Sequence, residues 1–135
     1  MDAKISVKQD AYLKVSNSSR NKYLLAFIYL IYDQKRFLDP ELTLDAIASE
    51  LNVSKGHLSR TINNELGMGF SDYVNSLRVN EAKSQLKDLM NMSDHPLAIG
   101  LKSGFNSKTT FYAVFKKWTG STPQEFRNKH QMSPI

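Results

Sequence analysis

Two short stretches hold the side chains best suited to do chemistry. The first runs Ser54-Lys55-Gly56-His57-Leu58-Ser59-Arg60, with Asn63 and Asn64 a turn later, and gathers hydroxyls, cations, an imidazole and two carboxamides. The second runs Ser107-Lys108-Thr109-Thr110-Phe111-Tyr112-Ala113, followed by Lys116 and Lys117, and gathers hydroxyls, a phenol and lysines. The chemistry open to such sets is hydrogen bonding and charge pairing. A guanidinium can fork onto a guanine edge and a carboxamide onto adenine, while Lys, Ser and Thr suit phosphate oxygens. Each lysine taken singly is an ordinary solvated residue, and each serine singly is a helix cap; only the combination points further.

Bond-making chemistry finds less support. His57, His95 and His130 lie far apart and share no ligand-like spacing, and no Ser/His/Asp or paired-carboxylate arrangement stands out. The chain has no cysteine, which excludes a disulfide scaffold, a thiol nucleophile and a Cys-ligated zinc site. No catalytic residue, no metal site and no cofactor is therefore expected. A lack of cysteine also fits a cytoplasmic location.

Both stretches read as helices with a capped start and a glycine stop. Ser54 and Ser107 stand where a hydroxyl accepts from an early helical N–H, and Gly67 and Gly120 where the chain leaves the last turn. Leu58/Ile62 and Phe111/Phe115 are four residues apart, so each pair turns one face to a core and leaves the opposite face outward. A short helix precedes each: Leu44–Leu51 behind Thr43, and one opening at Pro96 and ending near Ser103-Gly104.

The two helix pairs are an internal repeat. Ser54, Leu58, Ile62, Gly67, Phe70 and Tyr73 are matched 53 residues later by Ser107, Phe111, Phe115, Gly120, Pro123 and Phe126. Ile47-Ala48 is matched by Ile99-Gly100 at an offset of 52, so the second turn is one residue longer. Gly104 can take positive φ there, and Phe105 can plug the gap between helices. Ala48 and Gly100 are small where the helices of each pair would cross. A short helix, a tight turn and a capped helix make a helix-turn-helix unit.

The rest of the chain is helical by the same reasoning. Residues 1–18 read as a tail or lead-in. Ser18 or Ser19 can cap a helix to about Arg36, ended by Pro40, which disfavours helix at Asp39. Ser71 caps a long helix from Asp72 to about Met90, and Pro123 opens a last one through about Lys129. No stretch alternates as a half-buried strand does. The expected fold is all-α with about seven helices. Residues 19–135 form one domain of two helix-turn-helix subdomains, a first unit at about 42–70 and a second at about 94–129, joined by a linker helix over 71–91. A nineteen-residue linker would rise roughly 28 Å, near the major-groove repeat of about 34 Å, so the two capped helices are expected in successive grooves.

Charge agrees with a polyanionic partner without proving one. The net charge is +5, and residues 91–135 carry six Lys/Arg against two Asp/Glu, whereas residues 41–90 carry five against seven. A solvated basic face would look the same. The apolar run Tyr23–Tyr32 would cover only about 15 Å as a helix, too short for a bilayer, so no membrane contact is expected from it. Its lack of a polar face predicts burial on more than one side, either against the first unit or as a docking surface for another protein. Asp2 and Asp10 flank a polar start unlike a signal peptide.

The stretch Gly104–Arg127 resembles the C-terminal signature of the AraC/XylS family of transcription regulators, and Leu42–Arg78 resembles that family's first helix-turn-helix unit. The likeness covers about Asp39 to Lys129. It implies a module that binds double-stranded DNA sequence-specifically and recruits or positions RNA polymerase. It also implies groove-reading positions at Lys55, Gly56, Ser59 and Arg60, then Lys108, Thr109, Tyr112 and Ala113. Adding the neighbouring polar residues, the expected contact set is Ser54, Lys55, Gly56, His57, Ser59, Arg60, Asn63, Ser107, Lys108, Thr109, Tyr112, Lys116 and Lys117. This chain departs from the family at Gly56, where some relatives carry a large reader, at Ala113, where a basic residue is frequent, and at Pro96, where an aliphatic residue is usual. Family members usually carry a separate sensing or dimerisation domain, so the chain is expected to be the output part of a larger regulator.

Overall fold

In the computed structural model, residues 22–131 are described. They form seven α-helices: α1 (Lys22–Ile28), α2 (Leu44–Glu50), α3 (Lys55–Leu66), α4 (Phe70–Lys87), α5 (Pro96–Lys102), α6 (Lys108–Thr119) and α7 (Pro123–Gln131). No strand occurs among the described residues. The all-α architecture expected from the repeat is the one observed. The proposed caps at Ser18 or Ser19, and the lead-in over 1–18, lie outside the described residues.

The helices divide into two compact units. Of the described residues, the first takes those up to Phe37 together with Glu41–Val74; the second takes Leu38–Pro40 and those from Asn75 onward. The long helix α4 gives its opening turns to the first unit and the rest to the second. Arg78 ties Leu38–Pro40 into the second unit by donating from Nη2 to the Asp39 carbonyl at 2.9 Å.

In the first unit, Leu24, Phe27, Ile28 and Ile31 are buried together with Ile47, Ala48, Leu58, Ile62, Tyr73 and Val74. Phe27 packs its ring 6.1 Å from Phe70 and 5.7 Å from Tyr73. The apolar run of α1 is thus buried on one face only. Leu25 and Tyr29, four residues apart, stay 45% and 52% exposed. The helical run also ends before Arg36. A π turn over Tyr29–Asp33 closes with the Gln34 N–H on the Tyr29 carbonyl at 3.0 Å, and Lys35 then turns left-handed at φ 56°. Arg36 belongs instead to a separate 3-10 turn, and its guanidinium forks onto Glu50 at the end of α2, at 2.7 and 3.2 Å. That hydrogen-bonded pairing holds the Glu50 carboxyl below its ordinary value.

The second unit is built on aromatic rings. Phe105, Phe111, Phe115 and Phe126 bury themselves among Val79, Ala82, Leu86 and Ile99. Successive ring centroids are 5.0, 5.7 and 5.5 Å apart, spacings that favour edge-on and tilted ring pairs. Arg127 is buried beside this core. It donates from Nη1 to the Asp94 carbonyl at 2.6 Å and from Nη2 to the Asn91 carbonyl at 3.2 Å, fastening α7 to the loop before α5.

The long helix differs from its expected bounds at both ends. It opens at Phe70, because the Gly69 carbonyl already accepts from Tyr73 N–H at 3.0 Å; Ser71 lies inside the first turn and is no cap. It stops at Lys87 because Asp88 turns extended (ψ 121°) and its carboxylate takes the Met90 N–H at 2.9 Å. A short acidic side chain there offers the backbone an alternative to the helix. Residues Leu89–Asn91 make a separate 3-10 turn.

Candidate nucleic-acid interface

The two outward helices share their caps, buried pairs and stops. Ser54 accepts the His57 N–H at 3.1 Å, and Ser107 accepts the Thr110 N–H at 3.2 Å. Gly67 and Gly120 end the helices left-handed, at φ 71° and 80°. The core pairs Leu58/Ile62 and Phe111/Phe115 are fully buried. The turns before them also correspond: the Val53 N–H donates to the Ala48 carbonyl at 3.0 Å, and the Phe105 N–H to the Gly100 carbonyl at 3.1 Å. The left-handed residue of the turn is Asn52 (φ 55°) in the first unit and Gly104 (φ 107°) in the second. The extra residue of the longer turn is absorbed after Gly104.

With the core pair fixed, helical periodicity fixes the outward face. On α3 the centre of that face is Arg60, with Gly56 one turn before it, Asn64 one turn after it, and Asn63 and His57 on its flanks. On α6 the equivalent centre is Ala113, with Thr109 before it and Lys116 and Lys117 beyond. Lys55, Gly56, His57, Arg60, Asn63, Lys108, Thr109, Lys116 and Lys117 are exposed, while Ser59, Ser107 and Tyr112 are half-buried. Each unit therefore gathers its own expected contact residues on one helix.

Some of these side chains are already engaged. Lys55 lies to the side of α3 and reaches Asp45 in the first turn of α2, at 3.4 Å, an exposed pair of little energetic weight. His57 sets its ring edge-on to Tyr23 of α1, centroids 5.9 Å apart. Asn63 donates its amide to the Ser59 carbonyl at 2.9 Å. On α6, Lys108 places Nζ 5.5 Å from the Tyr112 ring centroid, so its cation rests on an aromatic face of its own helix, where Lys55 turns to a carboxylate of α2. Arg60, at the centre of its face, makes no hydrogen bond or ion pair among the described residues.

Sequence reasoning missed an open groove of about 620 Å³ beside α3, lined by Thr43, Asp45, Lys55, Ser59, Asn63 and Ser71 among others. The hydroxyls of Thr43 and Ser71 were legible as capping types, but their approach to the flank of α3 is tertiary. His95 was likewise read only as an isolated histidine. Its Nδ1 accepts the Leu97 N–H at 3.2 Å and so caps α5, leaving Pro96 in the first helical position. Among the described residues, no group of three or more His, Cys, Asp or Glu side chains is placed to hold a metal ion. No described helix is long and apolar enough to cross a membrane.

The sequence matches the family model of the helix-turn-helix domain over residues 47–129. The fold matches the structure of a transcriptional regulator of the AraC-type DNA-binding class from Chromobacterium violaceum. That match has a TM-score of 0.59 and 31% identity, and covers 69% of this chain and 80% of the other. The chain belongs to the AraC-type helix-turn-helix family. The fold also matches the C-terminal domain of AraT, a response regulator from Geobacillus stearothermophilus: TM-score 0.65, 32% identity, 77% of this chain and 84% of that one. Among curated proteins, the chain is 34% identical over 129 residues to the HTH-type transcriptional regulator YtdP of Bacillus subtilis. The aligned region takes in 96% of this chain but 15% of that regulator's length.

Proposed function

We propose that this chain is the DNA-binding output portion of a transcription regulator, reading double-stranded DNA through the outward faces of α3 and α6. The observation that carries the reading is the pair of matched helices, each capped at its start, pinned by two buried apolar residues, and presenting polar and cationic groups on the face opposite the core. A match to the C-terminal domain of a response regulator, and a curated relative far longer than this chain, support an output module whose sensing or dimerisation part lies elsewhere in a larger regulator. Contact with RNA polymerase, a cytoplasmic location and binding without catalysis belong to the same reading. So does the engagement of two successive major grooves by the two units.

The two faces differ in chemistry. Arg60 with Asn63 and Asn64 offers donors and acceptors suited to base edges, whereas Thr109, Ala113, Lys116 and Lys117 offer short and cationic groups suited to phosphates. The first unit supplies most of the sequence preference, and the second supplies affinity and register. Selection of bound duplexes from a random DNA pool, using the whole chain, tests this. Enrichment of one asymmetric site is expected. Recovery of unenriched DNA would overturn sequence-specific reading.

A further inference from the structure

Gly56 is the second residue of α3, on the outward face and one turn before Arg60. Glycine is a poor helix residue, and the usual reasons for tolerating it are absent here. Gly56 is not among the positive-φ glycines, which are Gly67, Gly104 and Gly120. No backbone or core atom crowds it either: a Cβ built on Gly56 would meet one heavy atom within 4 Å, the Arg60 Nη1 at 3.3 Å. Helical side chains run back toward the N-terminus. The Arg60 guanidinium does so, and its Nη1 lies beside the space that a Gly56 side chain would enter.

We infer that Gly56 is a positioning residue for Arg60: its missing side chain is the seat that aims the guanidinium along the N-terminal turn of α3, and so sets which base Arg60 reads. The inference rests on the DNA-reading function proposed above. A recognition helix meets base edges mainly through its N-terminal residues, and an arginine at the sixth position of the helix must reach back to join them. A bidentate approach to guanine O6 and N7 tolerates little error in the plane of the fork. Any side chain at position 56 moves the guanidinium, because Arg60 is the free end of a flexible chain and the helix backbone is not. The absence of a large reader at 56 is then no loss of recognition. It hands the first-turn space to Arg60.

A double-mutant cycle tests the seat. The full chain and its Gly56→Ala, Gly56→Leu, Arg60→Ala and Gly56→Leu/Arg60→Ala variants are titrated with the duplex enriched from the random pool. The same proteins are titrated with duplexes in which each guanine of that site is replaced in turn. Thermal unfolding is recorded alongside. Ala and Leu are strong helix formers, so neither substitution lowers Tm. Gly56→Leu is expected to cut the preference for the guanine read by Arg60 about fivefold or more, and Gly56→Ala to cut it less. In the Arg60→Ala background, Gly56→Leu should leave the remaining preference unchanged.

Full guanine preference in Gly56→Leu overturns the inference. So does a loss of equal size with and without Arg60, which would mark a direct clash between the new side chain and DNA. A wild-type chain with no sequence preference overturns the DNA-reading function and the seat together. A wild-type preference that ignores residue 56 overturns the seat alone.

Discussion

The ring of Phe111 occupies the space where a side chain on Gly100 would be. A Cβ added to Gly100 would overlap Cγ, Cδ2 and Cε2 of that ring, so α5 and α6 cross with no room for even a methyl group. In the first unit the matched residues are Ala48 and Leu58, both buried, with a thinner side chain at the ring's position. In an open helix, Gly→Ala would stabilise by about 1 kcal/mol. Here overpacking reverses the sign, and Gly100→Ala is expected to cost about 1–3 kcal/mol. Ala48→Gly should cost about 1 kcal/mol by loss of helix propensity alone. Urea unfolding of both variants checks this; a stabilised Gly100→Ala protein would show that the crossing relaxes freely.

Arg127 is a second fixed point. Its guanidinium is buried and satisfies the Asp94 and Asn91 carbonyls, which otherwise have to find water. Charged hydrogen bonds of this kind are worth more than neutral ones, and Arg127→Met should lower the unfolding free energy by about 2–3 kcal/mol. Arg127→Lys should recover part of that, because one ammonium cannot span both carbonyls as a fork does. Unchanged stability in the Met variant would show that the two carbonyls do not need the fork.

Acid should loosen the start of α7. Thr122 and Glu125 form a reciprocal pair: the Glu125 carboxylate accepts the Thr122 N–H at 2.8 Å, and the Thr122 hydroxyl accepts the Glu125 N–H at 3.1 Å. The bond from the Thr122 backbone, then that from its side chain, and then the charge of Lys116 hold the Glu125 carboxyl below its ordinary value of 4.5. A carboxyl depressed in the folded state stabilises fully above its unfolded pKa and loses that contribution as pH falls through the folded one. The Tm difference between the parent and Glu125→Gln should therefore be present at neutral pH and shrink on acidification below about pH 4.5. A difference that stays constant down to about pH 3 would contradict the assignment.

The fold was legible where a signal is local and short. Thr43, Ser54 and Ser107 announce caps through their hydroxyls, and Gly67, Gly104 and Gly120 announce left-handed turns by lacking a Cβ; the structure puts each to that use. The long helix was misjudged at both ends because Ser71 and Asp88 are the same capping types in competing positions, and the backbone of Gly69 decided one case and the carboxylate of Asp88 the other. His95 as a cap was missed because imidazole seldom takes that role. The Thr122/Glu125 box had its signal in the T-x-x-E spacing. Of the candidate interface, the outward face followed from the two core pairs. The lean of Lys55 to Asp45, of His57 to Tyr23 and of Arg60 to Gly56 did not, since side-chain direction depends on neighbours that the sequence does not order in space.

The two units should fail differently when altered. Arg60→Ala is expected to relax preference at one or two base pairs, at about 1–3 kcal/mol for the matched site. Lys116→Ala should weaken selected and random duplexes about equally, as loss of a phosphate contact does. Base substitutions protected by α3 should cost more than those protected by α6. Greater costs under α6 would reverse the assignment while leaving DNA binding intact.

The most direct measurement is the salt dependence of binding to the enriched duplex. Lysines and arginines on both outward helices and in the basic C-terminal third would neutralise phosphates and release their counterions. About six such contacts give a slope near −5 for log K against log salt concentration. A slope of that size is the predicted result. A slope close to zero would contradict DNA binding by these faces.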